Sequence, residues 1–530
     1  MDLQKPIAAV HPKWMLLVAL LLGWSFDILF WGRQIGISFP LYAILCLAGG
    51  LGIVQISRQT TRRRALFLII PILFFAIMVF MRSEPLTVFL DILFTVAFLA
   101  LLADTATTGR WLQYGLMDYG QSFAQVCVAA FLRPLMYPWR NLPAGPAGEK
   151  DRGFWKVLPY LRGLLLAFPF FLFFACLLAA ADPVFSARLQ QIFNIEKIPE
   201  YIFRLSLIAF LSYLMIGVFL HALSRNAVEA PLYSEKGKAP VFLGSVESTI
   251  VYIVVNLLFL SFVAVQFQYL FGGESNVHID GFTYAEYARR GFWELIAVAV
   301  FSLLMFLVLH GITKRPTVAE RWVFSGLAAA QMILVQVILY SAFVRLNLYE
   351  AAYGFSRLRT YAHVFLVWIA ILFLIVIVLD LLQRTRRIGL LFTLAAVGFA
   401  VSLNALNVDA FIVRENIRRA SEGEGLDNAY LGSLSADAVP ALKESFLHEA
   451  TPVKFEIGAS LACYAANGAE QPYDSAWQAF HWGRFQAKED ILSMQGALAD
   501  YAVVAGAQGS IVVRRQGVEY SCGRPFWDLE

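Results

Sequence analysis

Eleven stretches of this 530-residue chain are apolar over a length that crosses a lipid bilayer. The hydrocarbon core takes about 20 apolar residues per helix, and roughly 17 to 25 are workable. The stretches are Trp14–Trp31, Ile37–Ile56, Ala65–Met81, Leu86–Ala103, Gly163–Ala181, Ile202–Leu223, Thr249–Gln268, Leu295–His310, Val323–Phe343, Val364–Leu382 and Leu390–Leu406. Composition agrees: 59% of residues are apolar and 15% charged, against about 25% charged in a soluble domain. A soluble enzyme, a disordered protein and a coiled coil are excluded. The expected fold class is an all-α integral membrane bundle of eleven transmembrane helices with a small, mainly helical extracytoplasmic C-terminal domain. The runs beginning at 65, 86, 295 and 390 are short, which predicts local bilayer thinning or snorkelling flanks.

Charge divides the chain. Residues 418–530 hold 9 Lys and Arg against 15 Asp and Glu, a net −6, whereas residues 1–417 carry net +10. The first part, 1–417, reads as the transmembrane domain and 418–530 as a water-soluble one. Lys and Arg set the orientation. With the N-terminus inside, the cytoplasmic segments carry 22 basic residues and the short outward loops 9. Eleven spans then place the N-terminus in the cytoplasm and the C-terminal domain outside the plasma (inner) membrane. The first span lacks a small-x-small cleavage site, and Asp27 and Trp31 to Arg33 stand there instead, so it is expected to be retained.

Residues 104–162 form the one long cytoplasmic connection. In it Leu112, Leu116, Tyr119, Phe123, Val126 and Ala130 recur with helical spacing. The opposite face has Gln113, Asp118, Gln121 and Gln125 rather than Lys or Arg, so its apolar face is expected to dock on the bundle. No repeat of 20 to 50 residues runs along the chain. Phosphate-cradling GxxxxGK[ST], GxSxG, HExxH and complete GxGxxG motifs are missing from the sequence. The seven histidines are scattered, with none four residues from another, and no ligand spacing suggests zinc. No cofactor, metal or nucleic acid is expected; the partners are the bilayer and a small ligand or envelope protein on the outer face.

Several blocks have a recognisable look: Ala181-Asp182-Pro183-Val184-Phe185, Tyr269-Leu270-Phe271-Gly272-Gly273, Tyr287 to Leu295 (YARRGFWEL), Arg345 to Arg359 (RLNLYEAAYGFSRLR) and Asn407 to Ile412 (NVDAFI). Together they resemble a bacterial family of polytopic membrane proteins catalogued only as a domain of unknown function. The likeness covers about residues 165–450, and the 345–359 block is its most specific part. It implies a fold and no activity.

On the charge-derived topology all five blocks fall at the outer ends of spans, level with Asp27 and Asp91. Ionisable groups at membrane depth are costly and face a cavity or a partner. The resulting expectation is an outer vestibule lined by Asp27, Asp91, Arg289, Arg290, Glu294, Arg345, Glu350, Arg357 and Arg359. Simpler roles compete: Asp182-Pro183 as a helix start, Glu286, Arg290 and Glu294 as one helix face, Gly354 and Ser356 as a turn and cap, and Asp27 or Asp91 buried against one of these arginines. The leading function is a non-enzymatic membrane protein that presents this vestibule and the outer domain to a ligand or partner. A transporter or channel is the alternative, and a lipid-linked group transferase ranks below both.

In the C-terminal domain, helices are predicted over Ala436–Leu447, Val453–Tyr464 and Ser475–Met494, and a hairpin over Ser510–Arg514 and Val518–Cys522 about Gln516-Gly517. Cys463 and Cys522 are its only cysteines. An oxidising compartment permits a disulfide between them, and two buried thiols are the alternative.

Overall fold

The computed structural model describes residues 12–136, 178, 182, 198–224, 241–269, 292–469, 476–505 and 511–522. Among these, ten helices are long and apolar enough to span a membrane. They are α1 (Pro12–Phe30), α2 (Ser38–Ile56), α3 (Ile69–Met81, with a lead-in turn from Arg63), α4 (Pro85–Thr105), α6 (Ile198–Ser224), α7 (Ser245–Tyr269), α8 (Phe292–Ile312), α9 (Val318–Tyr353), α10 (Arg357–Leu381) and α11 (Ile388–Leu406). Helix α5 (Leu116–Met136) lies between α4 and α6. The chain is an all-α multi-pass membrane protein. The predicted span Gly163–Ala181 lies outside the described residues.

The expectation of short spans needs correction for three of the four. Pro85–Thr105 and Phe292–Ile312 each have 21 helical residues and Ile388–Leu406 has 19. At 1.5 Å per residue these reach about 28 to 31 Å, the thickness of the hydrocarbon core. In the run at 65 the continuous helix, Ile69–Met81, has 13 residues and follows a turn at Phe67 and Leu68. Polar flanks such as Asp104 and Thr105 continue the helix where hydropathy alone would stop it. Helix α9 extends further, through 36 residues. Nothing between Phe343 and Gly354 breaks a helix, so the first nine residues of the 345–359 block are helical and only 354–356 turn. A capping box starts α9, with Thr317 and Glu320 exchanging side-chain and backbone hydrogen bonds.

Two compact units are distinguished: Met1–Trp31, Ala48–Thr60 and Val126–Ser224 in one, and Gly32–Leu47, Thr61–Gln125 and Arg225–Glu530 in the other. In the first, α1 packs against α6, where Gly23 lets the backbone of Ile208 approach closely. In the second, α7 to α11 share one core around Phe306, Val335 and Phe373, and α3 and α4 share another around Phe75 and Phe98.

Helix α5 keeps part of its expected apolar face inward: Val126 and Ala130 are buried and Gln121 is exposed, but Phe123 is exposed and the polar Asp118 and Ser122 are buried. Asp104 Oδ2 accepts from Tyr114 OH and Ser122 Oγ, each at 2.8 Å. Where lipid is the outer solvent, apolar residues face out as readily as in, and polar groups gain by finding one another.

The C-terminal segment begins inside a helix. After Asn407, in the left-handed region at φ 52°, α12 (Val408–Ser421) runs across position 417. Its Val408, Ile412, Val413 and Ile417 join Leu403 of α11 in a core with α13 (Val439–His448) and α14 (Val453–Ala469). Helix α15 (Trp482–Ser493) and strands β1 (Ala502–Ala505), β2 (Ile511–Arg515) and β3 (Val518–Ser521) complete the domain. Strands β2 and β3 pair about Gln516 and Gly517, both at positive φ, and β1, which sequence did not suggest, pairs with β2. The 475–494 stretch is broken at Phe480 and His481, so only its second half is an α-helix. Cys463 and Cys522 form a disulfide, with Cα atoms 5.3 Å apart.

Candidate functional site

One set of buried charge in the second unit lies where the C-terminal segment meets the ends of α3, α4, α9, α10 and α11. It begins with a short turn. Helix α3 stops at Met81, and Pro85 opens α4 with Glu84 as its N-cap. Glu84 accepts from the backbone N–H of Leu86 (3.0 Å) and Thr87 (2.8 Å), and from the hydroxyl of Tyr361. The N–H groups of Ser83 and Glu84 point the other way and donate to Asp437 Oδ2 at 2.8 and 3.1 Å. Arg82 donates to the carbonyl of Asn404 (2.7 Å), and His481 Nε2 lies 3.1 Å from the carbonyl of Arg82.

The α9–α10 turn is held as closely. Gly354, at φ 75°, ends α9. The Asn416 side chain accepts from Phe355 N–H (2.8 Å) and donates to its carbonyl (2.9 Å), as a neighbouring strand would. Arg419 donates to the carbonyl of Ala351 at 2.7 Å. Arg357 grips Asp409 bidentately at 2.7 and 2.6 Å, and Asp409 also accepts from Ser435 N–H at 2.8 Å. Two membrane turns are thus clamped by α12 and the segment before α13. Burial raises the Asp437 carboxyl to about 6, with the nearby Asp409 charge adding to it and the Ser83 N–H pulling it back. Burial, aided by Arg484, lowers the His481 imidazole to about 4.

Among the described residues of the second unit, those singled out from sequence fall in several places. Arg357 belongs to the junction. Asp91 lies fully buried about two turns into α4 from Glu84, where Asn404 Nδ2 donates to it at 2.7 Å rather than an arginine. Arg359 donates to the carbonyls of Tyr353 and Gly354 and stacks over Tyr349 at 4.2 Å. Arg345 donates to Gln266 Oε1 at 3.0 Å, beside Ser341. Glu350 is buried 3.3 Å from His363. Glu294 is exposed. Arg289 and Arg290 lie outside the described residues, as do most of the 181–185 and 269–273 blocks. Asp27 belongs to the first unit, where it holds Arg204 of α6 in a bidentate pair at 2.9 and 2.6 Å.

Sequence reasoning passed over Glu84, Asp437, Asn404 and Arg204. Glu84-Pro85 carried a readable signal, an N-cap followed by Pro at N1. A second buried cluster sits at the other end of α10. Asp380 lies 3.6 Å from His310 Nδ1, and Arg315 donates to the His310 carbonyl at 2.9 Å while stacking on Phe324. Among the described residues no three His, Cys, Asp or Glu side chains are grouped to hold a metal.

The family model described as Domain of unknown function (DUF4153) matches residues 69–445, more than two thirds of the chain. The chain belongs to this family. The DUF4153 match runs from the first residue of α3 into α13, so both sides of the junction, Ser83 and Glu84 with Arg357, Asp409 and Asp437, fall within it. Helices α1 and α2 precede it, and the disulfide and the three strands follow it. No curated protein and no solved structure matches the chain.

Proposed function

We propose that this protein is a non-enzymatic membrane platform that holds its C-terminal domain rigidly on the outer face of a bacterial inner membrane for a ligand or protein partner. The observation that carries this reading is the junction. A domain tied to two membrane turns by buried backbone hydrogen bonds and an Arg357–Asp409 pair is built to be displayed in one orientation, not to swing on a linker. The excess of basic residues at the ends of the spans remote from that domain, among them Arg62, Arg63, Arg64, Lys314, Arg315, Arg384 and Arg387, supports an outward-facing domain. So does the Cys463–Cys522 disulfide, which an oxidising compartment sustains.

Orientation is tested by a cysteine at exposed Glu489 in a background lacking Cys46, Cys127 and Cys176. A membrane-impermeant maleimide should label intact cells; labelling only after lysis overturns the outward placement. Display is tested by photo-crosslinking amino acids at Glu489 and Val518 in living cells. A discrete adduct that disappears in Asp409→Ala, with the variant still in the membrane, is the expected result. Cross-linking indifferent to docking counts against the platform.

A transporter is the second reading, favoured by one arrangement. The buried carboxylates Glu350, beside His363, and Asp380, beside His310, lie near opposite ends of α9 and α10, and α9 buries Ser325, Gln331, Ser341 and Arg345 between them. Purified protein in liposomes with an internal pH dye decides it: proton flux lost in both Glu350→Gln and Asp380→Asn would replace the platform reading.

A further inference from the structure

We propose that the segment Ala476–Phe485 of the C-terminal domain is a membrane-interface anchor, with Trp477 and Trp482 embedded among lipid headgroups. The observation is where this segment is pinned. Its Phe480 carbonyl accepts from Ile37 N–H at 2.8 Å, one residue before α2 begins. His481 reaches the carbonyl of Arg82, one residue after α3 ends. The ring of Phe80, in the last turn of α3, lies 5.8 Å from that of Phe480. Arg484 donates to Gln34 and to the carbonyl of Ile35.

Two glycines make the approach possible. A Cβ on Gly36 would stand 2.4 Å from the Phe480 carbonyl oxygen, and one on Gly483 would stand 2.9 Å from that of Met81. The segment is therefore level with the ends of two membrane spans. The headgroup layer adds only about 5 to 8 Å to each side of the hydrocarbon core, so a segment bonded directly to span ends lies within that layer.

Its exposed side chains fit that depth. Trp477 is 58% and Trp482 45% exposed, in a segment whose Phe480 and Phe485 rings contact each other at 5.5 Å. Two half-exposed tryptophans five residues apart would be an expensive display to water. At a headgroup boundary the indole ring is buried while its N–H stays wet, which is why tryptophan concentrates there. On the two spans to which the segment is pinned, Ile44 and Ile77 are exposed as well, as is Ile35 just before α2. The placement holds for either orientation of the chain.

The test uses the full-length protein in phosphatidylcholine/phosphatidylglycerol liposomes, with Cys46, Cys127 and Cys176 replaced and the disulfide intact. Nitroxides at Trp477→Cys and Trp482→Cys should collide more with oxygen than with a water-soluble nickel chelate. A nitroxide at Ile77→Cys gives the lipid reference and one at Glu444→Cys the water reference. Labels at 477 and 482 that match position 444 overturn the anchor and make the pair a water-facing docking surface. A second readout keeps the fold with conservative changes. The tryptophan emission lost in the Trp477→Phe/Trp482→Phe double variant should be quenched when the liposomes contain bromine on the acyl chain near the headgroup. An equal difference signal in brominated and plain liposomes overturns the proposal.

Discussion

Single carboxylates decide how the C-terminal domain is held. Asp409 is fully buried and satisfies both Arg357 and the Ser435 N–H. Replacing it with alanine leaves a guanidinium facing the cavity, and breaking a buried pair from one side costs about 3 to 5 kcal/mol. Asp409→Ala should melt several degrees lower in detergent and release the domain to limited proteolysis. Asp437 and His481 make opposing contributions to stability as pH changes. Asp437, raised to about 6 from 3.8, holds a proton in the folded protein that the unfolded chain has lost, so acidification from 6 toward 4 stabilises. His481, lowered to about 4 from 6.5, stays neutral while the unfolded chain takes the proton, so acidification over nearly the same window destabilises. Each effect is on the order of 3 kcal/mol. Over pH 6 to 4 these two contributions to the wild-type melting temperature therefore nearly cancel. Asp437→Asn should make it fall with acidification, and His481→Gln should make it rise. Parallel curves for all three proteins would show that neither group titrates differently on folding.

At the scale of elements, the contact between the 476–485 segment and the start of α2 depends on the absence of a side chain. Gly36→Ala would drive a methyl group into the carbonyls of Ala479 and Phe480, and backbone cannot give way as a side-chain tip can. The expected cost is about 1 to 3 kcal/mol, seen as faster proteolysis at α15. Gly50→Ala, where nothing lies within 4 Å, is the matched control and should leave digestion unchanged. Helix α5 teaches a different lesson about elements. The inward side of Val126 and Ala130 was readable from their helical period, but the burial of Asp118 and Ser122 was not, because in lipid polar groups turn inward to find one another.

For the whole molecule, the spans were legible because twenty apolar residues in a row have few other uses. The Asn407–Ile412 block and Arg357 drew notice from sequence, and both belong to the junction. Their partners did not, since Ser83 and Asp437 lie 354 residues apart and neither has a local pattern that names the other. Asp27 stood out as a charge within a span; Arg204, its partner, was hidden inside another. The disulfide tests the state of the molecule as a whole. Of five cysteines, three should react with a thiol reagent under denaturing, non-reducing conditions. Five would show that the bridge does not form in the cell. Cys522→Ser should lower stability by roughly 4 kcal/mol, the chain-entropy value for a loop of this length.

The junction also sets an order of events during synthesis. The amides of Ser83 and Glu84 are made early, but the carboxylate that receives them comes 353 residues after Glu84. At about 5 to 20 residues per second, a nascent chain waits roughly 20 to 70 s with that turn open. For that time the first spans sit in the bilayer with an unfinished rim. A ribosome that stalls before Asp437 leaves a protein with its membrane helices inserted and its rim uncapped, a visible mark of incompleteness for a membrane protease to read.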